Sequence, residues 1–398
     1  MKYKCISADS HLEIRPDRYT ARVPQRFRDR APKVITLEDG TLAVLQEGQP
    51  LERLISNISC GVPYEERRPF DPLPGEHYEK SPGTGSPAQR LREQDQDGVD
   101  AEVLFPGNVG PGFWRGIRND DAYKAVVRAY NDWLAEEYCS HAPERLIGIG
   151  VIPITNIEDA VGELNHCKKI GLKAVAIDNF PAGYRFPTLG DDGFWAAAVD
   201  LEMALTIHVE FGFPRRGRGQ PAAAAVPSFK YPRQPDPEHH VPDVIERFNK
   251  YGFRGSKQVV QMIWGGAFER FPKLKIYVAE VQIGWVPNWM DQMDNEYGRQ
   301  QYWAERVLGL PRLKRMPSEY AREHCYWGFN RNPVGVRIAR HEMDVDKLMW
   351  ASDFPHLESD WPNSRKVIAE NFAGSREDEI WKMTVDNAVK YFYLSDQP

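Results

Sequence analysis

Five cysteines are spread over 398 residues, and no two of them form a C-x-x-C pair. Cys5, Cys60, Cys139, Cys167 and Cys325 are an odd, scattered set, which argues against a disulfide framework. There is no block of like charge either. The 51 basic and 57 acidic residues are interleaved for a net charge of −6, which gives neither a nucleic acid nor an anionic membrane surface anything to grip. No apolar run is long enough to cross a bilayer. The first residues, MKYKCISADSH, are charged and pass straight into a strand pattern, leaving no room for a signal peptide. Together these absences predict a protein of a reducing, cytoplasmic compartment.

What is present is a globular composition, 41% hydrophobic and 27% charged, arranged as a regular alternation. Short aliphatic runs suited to strands occur at Lys4–Asp9, Ala101–Phe105, Leu146–Ile152, Lys173–Ile177, Ala204–Val209, Lys275–Glu280, Cys325–Trp327 and Lys347–Ser352. Helix-like segments lie between them near Asp120–Ser140, Ile157–Ile170, Asp191–Leu201, Val259–Arg270, Gly284–Gln300 and Val334–His341. Such an alternation predicts an α/β fold, a closed (β/α)₈ TIM barrel forming one domain over residues 1–398. Two proline-rich stretches, residues 14–96 and 211–241, break the pattern, and the first contains a hairpin signal at Glu38-Asp39-Gly40. Each follows a strand that ends in a polar residue, so both are predicted as inserts over the C-terminal face of the barrel.

The chemistry sits where strands end. In Asp9-Ser10-His11-Leu12-Glu13, three ionisable side chains recur at every second position and so share one face of an extended chain. His208 closes a second strand and Glu280 a third. The last strand runs into Asp353 and, three residues on, His356. A single such residue is commonly a helix cap or a surface group. Four strands ending this way at one barrel rim point instead to a shared cation. Imidazole and carboxylate without thiolate suit Zn²⁺, Mn²⁺ or Fe²⁺. Glu210 is a weaker member of the set, and His239 and His240, in the second insert, are expected at the surface.

The motifs Asp9-x-His11-x-Glu13, His208, FPKLKIYVAE and ASDFPH, in that order from residue 9 to residue 356, resemble the amidohydrolase superfamily. The nearest likeness is to the amidohydrolase-related branch that includes aminocarboxymuconate semialdehyde decarboxylase. The resemblance implies metal ligands at His11, Glu13, His208 and Asp353. Two positions depart from the family pattern: Glu13 stands where histidine is common, and Glu280 stands where the decarboxylases place a catalytic histidine. That second change weighs against decarboxylation at the sequence level. The leading expectation is a metal-dependent hydrolase acting on a small amide or lactone. Asp353 would be its base, with Glu280 or His356 assisting the leaving group. Asp9, Glu13, Glu280, Asp353, His11, His208 and His356 could also hold two ions, as in dinuclear iron or iron–manganese monooxygenases of similar type. A non-oxidative decarboxylase and a non-catalytic partner subunit are the remaining readings. The expected partners are a small-molecule substrate and further copies of this chain or a related subunit.

Overall fold

The computed structural model describes residues 3–45, 52–68, 71–107, 109–177, 179–182, 186–208 and 255–394. The second insert, with Glu210, His239 and His240, lies outside the described residues.

Eight strands form one sheet: β1 (Ile6–Leu12), β5 (Ala101–Pro106), β6 (Leu146–Val151), β7 (Ala174–Ala176), β8 (Ala204–Ile207), β9 (Ile276–Val278), β10 (Cys325–Phe329) and β11 (Leu348–Trp350), adjacent in that order. Every neighbouring pair is parallel. Beyond the ladders, the amide of His11 donates to the Phe354 carbonyl at 2.7 Å and that of Asp353 to the Asp9 carbonyl at 2.9 Å. These bonds join the first strand to the chain leaving the last, and the sheet becomes a nearly closed barrel.

Alternation along the strands produces two apolar layers. Val103, Phe105, Ile149, Ala174, Ala176, Ala204 and Tyr277 pack together in one cluster. Their sequence neighbours Leu104, Val175, Leu205, Ile276 and Val278 pack in the other, with the helices. Small residues beside large ones let the inner layer fill without a pore. All five cysteines are free and buried, and no described helix is long and apolar enough to cross a membrane.

All eight expected strands are present, with the first displaced: β1 extends through Leu12 and so carries Asp9 and His11 within it. The first insert is more ordered than its prolines suggest. Its hairpin exists, as β2 (Lys33–Thr36) and β3 (Leu42–Leu45) paired antiparallel with β4 (Glu52–Arg53) alongside. Gly40 turns the corner at φ +79°. The insert also contains the helix Pro87–Asp97, capped by Ser86 at its start and by left-handed Gly98 at its end. This is the helix that connects β1 to β5, hence part of the alternation. It escapes an apolar period because its buried residues are Arg90, Glu93, Gln94 and Asp97.

Candidate metal centre

Asp9 and His11 come from β1. His208 immediately follows β8, Glu280 lies two residues past β9, and Asp353 three past β11. Because parallel strands all end at one rim, these five groups meet there. His11 Nε2 is 3.4 Å from Asp9 Oδ1 and 3.1 Å from Asp353 Oδ1. His208 Nε2 is 3.5 Å from Asp9 Oδ2 and 3.6 Å from Glu280 Oε2. Three triads offer ligand atoms within 4.8 Å of one another: Asp9–His11–His208, His11–Asp353–His356 and Glu280–Asp353–Glu358.

The chemistry of the donors fits a cation. His11 Nδ1 faces the Pro106 carbonyl at 3.2 Å, which places a proton on that nitrogen and leaves Nε2 as the atom that would meet a cation in the site. Both oxygens of Asp9, both of Asp353 and His11 Nε2 are buried with no hydrogen-bond partner. Buried polar atoms without partners are costly, and a metal ion supplies the missing interaction. Glu280 and Asp353 both sit in the left-handed region, at φ of 55°, which few non-glycine residues adopt away from functional sites.

His356 lies beside this group. Its ring stacks on His11 with centroids 3.8 Å apart. Its Nε2 is 2.8 Å from Glu13 Oε1 and its Nδ1 3.5 Å from Asp353 Oδ1. Burial opposes the charged imidazole, but the contacts to Asp353 and Glu13 outweigh it and hold the pKa well above the ordinary histidine value. The same pairing acts in reverse on Asp353. Burial would raise its pKa, yet His11 and His356 hold the carboxyl well below the usual range.

The rim thus gathers all seven sequence-derived candidates, with one change of part. Glu13 is in none of the triads and instead faces His356. Space for it comes from Gly107, where a Cβ would lie 2.4 Å from the Leu12 carbonyl and 2.7 Å from the Glu13 carboxylate carbon. Gly107→Ala is therefore expected to cost about 1–3 kcal/mol and to weaken the Glu13–His356 pair, read as a lower denaturant midpoint and a lowered His356 pKa by NMR. An unchanged His356 titration would show that Glu13 has room to give.

Three functional residues went unread in the sequence. Glu358 joins Glu280 and Asp353, and the spacing His356-x-Glu358 repeats the alternation already seen at residues 9, 11 and 13. Arg90 and Glu102 form a buried pair beneath the rim, Nε to Oε2 at 2.6 Å. Arg90 also donates to the carbonyls of His11 (2.9 Å) and Phe354 (3.3 Å). Trp285 and Trp327, by contrast, pack edge-on in a cluster with Trp289.

A nearly closed parallel barrel with imidazoles and carboxylates converging on its C-terminal rim is the layout of a barrel enzyme with a candidate metal site. The chain belongs to the amidohydrolase family, whose sequence profile matches residues 23–394. Its relatives include Decarboxylase orsB of Emericella nidulans, 23% identical over 232 residues, 58% of this chain and 65% of that one. The gamma-resorcylate decarboxylase of Rhizobium sp. is 21% identical over 296 residues, covering 70% of this chain and 80% of its own. The 2-amino-3-carboxymuconate-6-semialdehyde decarboxylase of Dictyostelium discoideum is 25% identical over 196 residues, 48% and 47% of the two chains. The chain thus spans less than two thirds of the first and third of these relatives. Among solved structures, dihydroxybenzoic acid decarboxylase of Polaromonas sp. JS666, with bound manganese, superposes with a TM-score of 0.59 at 18% identity over 99% of this chain and 98% of that one.

These relatives correct the leading expectation. All three are decarboxylases, so the hydrolase reading does not stand.

Proposed function

We propose that the chain is a metal-dependent, non-oxidative decarboxylase of a small aromatic or unsaturated carboxylic acid. The observation that carries this reading is a proton donor set beside a cation site: His356, kept charged by Asp353 and Glu13, stacked on His11. The kinship with decarboxylases supports it.

Asp9, His11, His208 and Asp353 would hold a divalent ion, and manganese, as in the Polaromonas relative, suits this oxygen- and nitrogen-donor set. Bound there, the ion supplies Lewis acidity and orients the substrate's oxygens. Asp9, Glu13, Glu280, Asp353 and Glu358 outnumber what one divalent ion offsets, and Glu280–Asp353–Glu358 would take a second.

The protein's own groups then manage one proton. The carbon–carbon bond to the carboxylate breaks, CO₂ departs, and the electron pair stays on the substrate carbon. His356 gives its proton to that carbon, completing the new C–H bond, and recovers one from water. Glu13 and Asp353 hold the imidazole in place throughout.

Protein reconstituted with Mn²⁺ and offered hydroxybenzoic acids is expected to release CO₂ in equal amount to the decarboxylated arene. In D₂O one deuterium should appear at the vacated carbon, with no oxygen consumed. Oxygen uptake coupled to product, or turnover of an amide or lactone without CO₂, would overturn the reading.

A further inference from the structure

The loop that carries His356 and Glu358 has no ladder to hold it. Between β11 and the helix Ser364–Asn371 the chain runs in turns, and its amides bond locally: His356 to the Asp353 carbonyl (2.8 Å) and Ser359 to the His356 carbonyl (3.1 Å). The outward carbonyls of this loop are answered from the first insert. Arg67 donates from Nη1 to the Leu357 carbonyl at 2.6 Å and from Nη2 to the Ser359 carbonyl at 3.2 Å. One guanidinium therefore grips the peptide on both sides of Glu358 and immediately after His356. Its remaining donor, Nε, bonds the Val62 carbonyl at 3.1 Å, and its plane lies over the Tyr64 ring at 4.5 Å. The grip is reinforced nearby by an isolated bridge from Ile58 to His356 and by the Gly61 amide on the Trp361 carbonyl at 2.9 Å.

Resting on the reading of His356 and Glu358 given above, we propose that Arg67 is a positioning residue for the reaction, the point through which the insert fixes the proton donor and the Glu358 carboxylate over the barrel mouth. Arginine is suited to this because its planar fork meets two carbonyls in a fixed relation, which a lysine ammonium does not. Outer contacts of this kind commonly govern how well a metal ligand or acid group is aimed. Arg67 does not line the barrel mouth; it borders a separate cavity of about 450 Å³ with Tyr64, Arg331, Asp360, Trp361 and Lys366.

The cavity makes a chemical test available. Arg67→Ala is expected to lose roughly 10–100-fold in kcat and in Mn²⁺ affinity, with KM nearly unchanged. Added guanidinium ion, entering the vacated space, should restore both in a saturable way at concentrations that leave the fold intact, while methylammonium, a single-point donor, restores neither. A merely structural arginine would lower the melting temperature without this rescue. Unchanged kcat and Mn²⁺ affinity, a loss confined to KM, or equal rescue by methylammonium would overturn the proposal. Mn²⁺ titration of the variant needs no turnover, so a failed decarboxylase assay and a failed positioning role remain distinguishable.

Discussion

Asp353→Asn is expected to lower turnover by about 10³-fold or more while leaving the barrel folded. The substitution keeps volume and shape and removes one charge. That charge stands at the junction of two triads, in contact with His11 at 3.1 Å and His356 at 3.5 Å. An amide binds a divalent ion poorly, and it leaves His356 with Glu13 as its one carboxylate partner among the contacts described. The imidazole then gives up its proton at lower pH, so the cation and the proton donor are impaired together. The backbone amide of residue 353 still reaches the Asp9 carbonyl, so the closure of the barrel survives. Without metal, the variant should melt lower than the parent at neutral pH, since a carboxyl held below its usual range stabilises the fold as the anion, and the amide gives up that contribution. Steady-state kinetics with Mn²⁺ and a thermal melt of the metal-free protein check both halves. Turnover within about tenfold of the parent would remove Asp353 from the mechanism.

Much of this arrangement was legible because the barrel rewards a simple pattern. Each strand announces itself as a short aliphatic run, and a chemically active residue just beyond the run must lie at the rim whatever the intervening loops do. His208, Glu280 and Asp353 were found that way. Glu13 was expected among the ligands of the cation, and in the structure it faces His356 instead of joining a triad. Strand alternation sets it beside Asp9 and His11, whereas β1 ends at Leu12 and the side chain turns toward His356. Glu358 repeats the spacing seen in β1, but it follows His356 through turns rather than along a strand, so the spacing fixes no shared face, and its place depends on where Arg67 holds the loop. The reaction itself was not legible. A hydrolase and a decarboxylase need the same cation-holding groups, and the glutamate at position 280 argued against the class to which the relatives belong.

The largest effect on stability is expected beneath the rim, at Arg90. Its helix shows the sequence a polar face, yet that face is buried, because Glu102 on β5 lies opposite and both side chains are nearly inaccessible. Glu102 also accepts from Ser10 Oγ at 2.9 Å and Gln94 Nε2 at 2.8 Å, so every lone pair direction is used. Arg90→Met preserves most of the packing against Phe354 but leaves a carboxylate charged and buried without its cation. Removing one partner of such a pair costs about 3–5 kcal/mol. Adding Glu102→Gln should recover a large share, because the uncompensated charge disappears while the Ser10 and Gln94 contacts persist. Denaturant midpoints for the two single variants and the double one form the cycle that tests this. If Arg90→Met unfolded no more readily than the parent, water would have to reach Glu102. The consequence for function runs through the backbone. The same guanidinium holds the carbonyls of His11 and Phe354, one from β1 and one from the chain leaving β11, which meet at the barrel's seam. Arg90→Met should therefore bind Mn²⁺ more weakly even under conditions where it is fully folded. The ion pair that stabilises the seam also sets the spacing between His11 and Asp353.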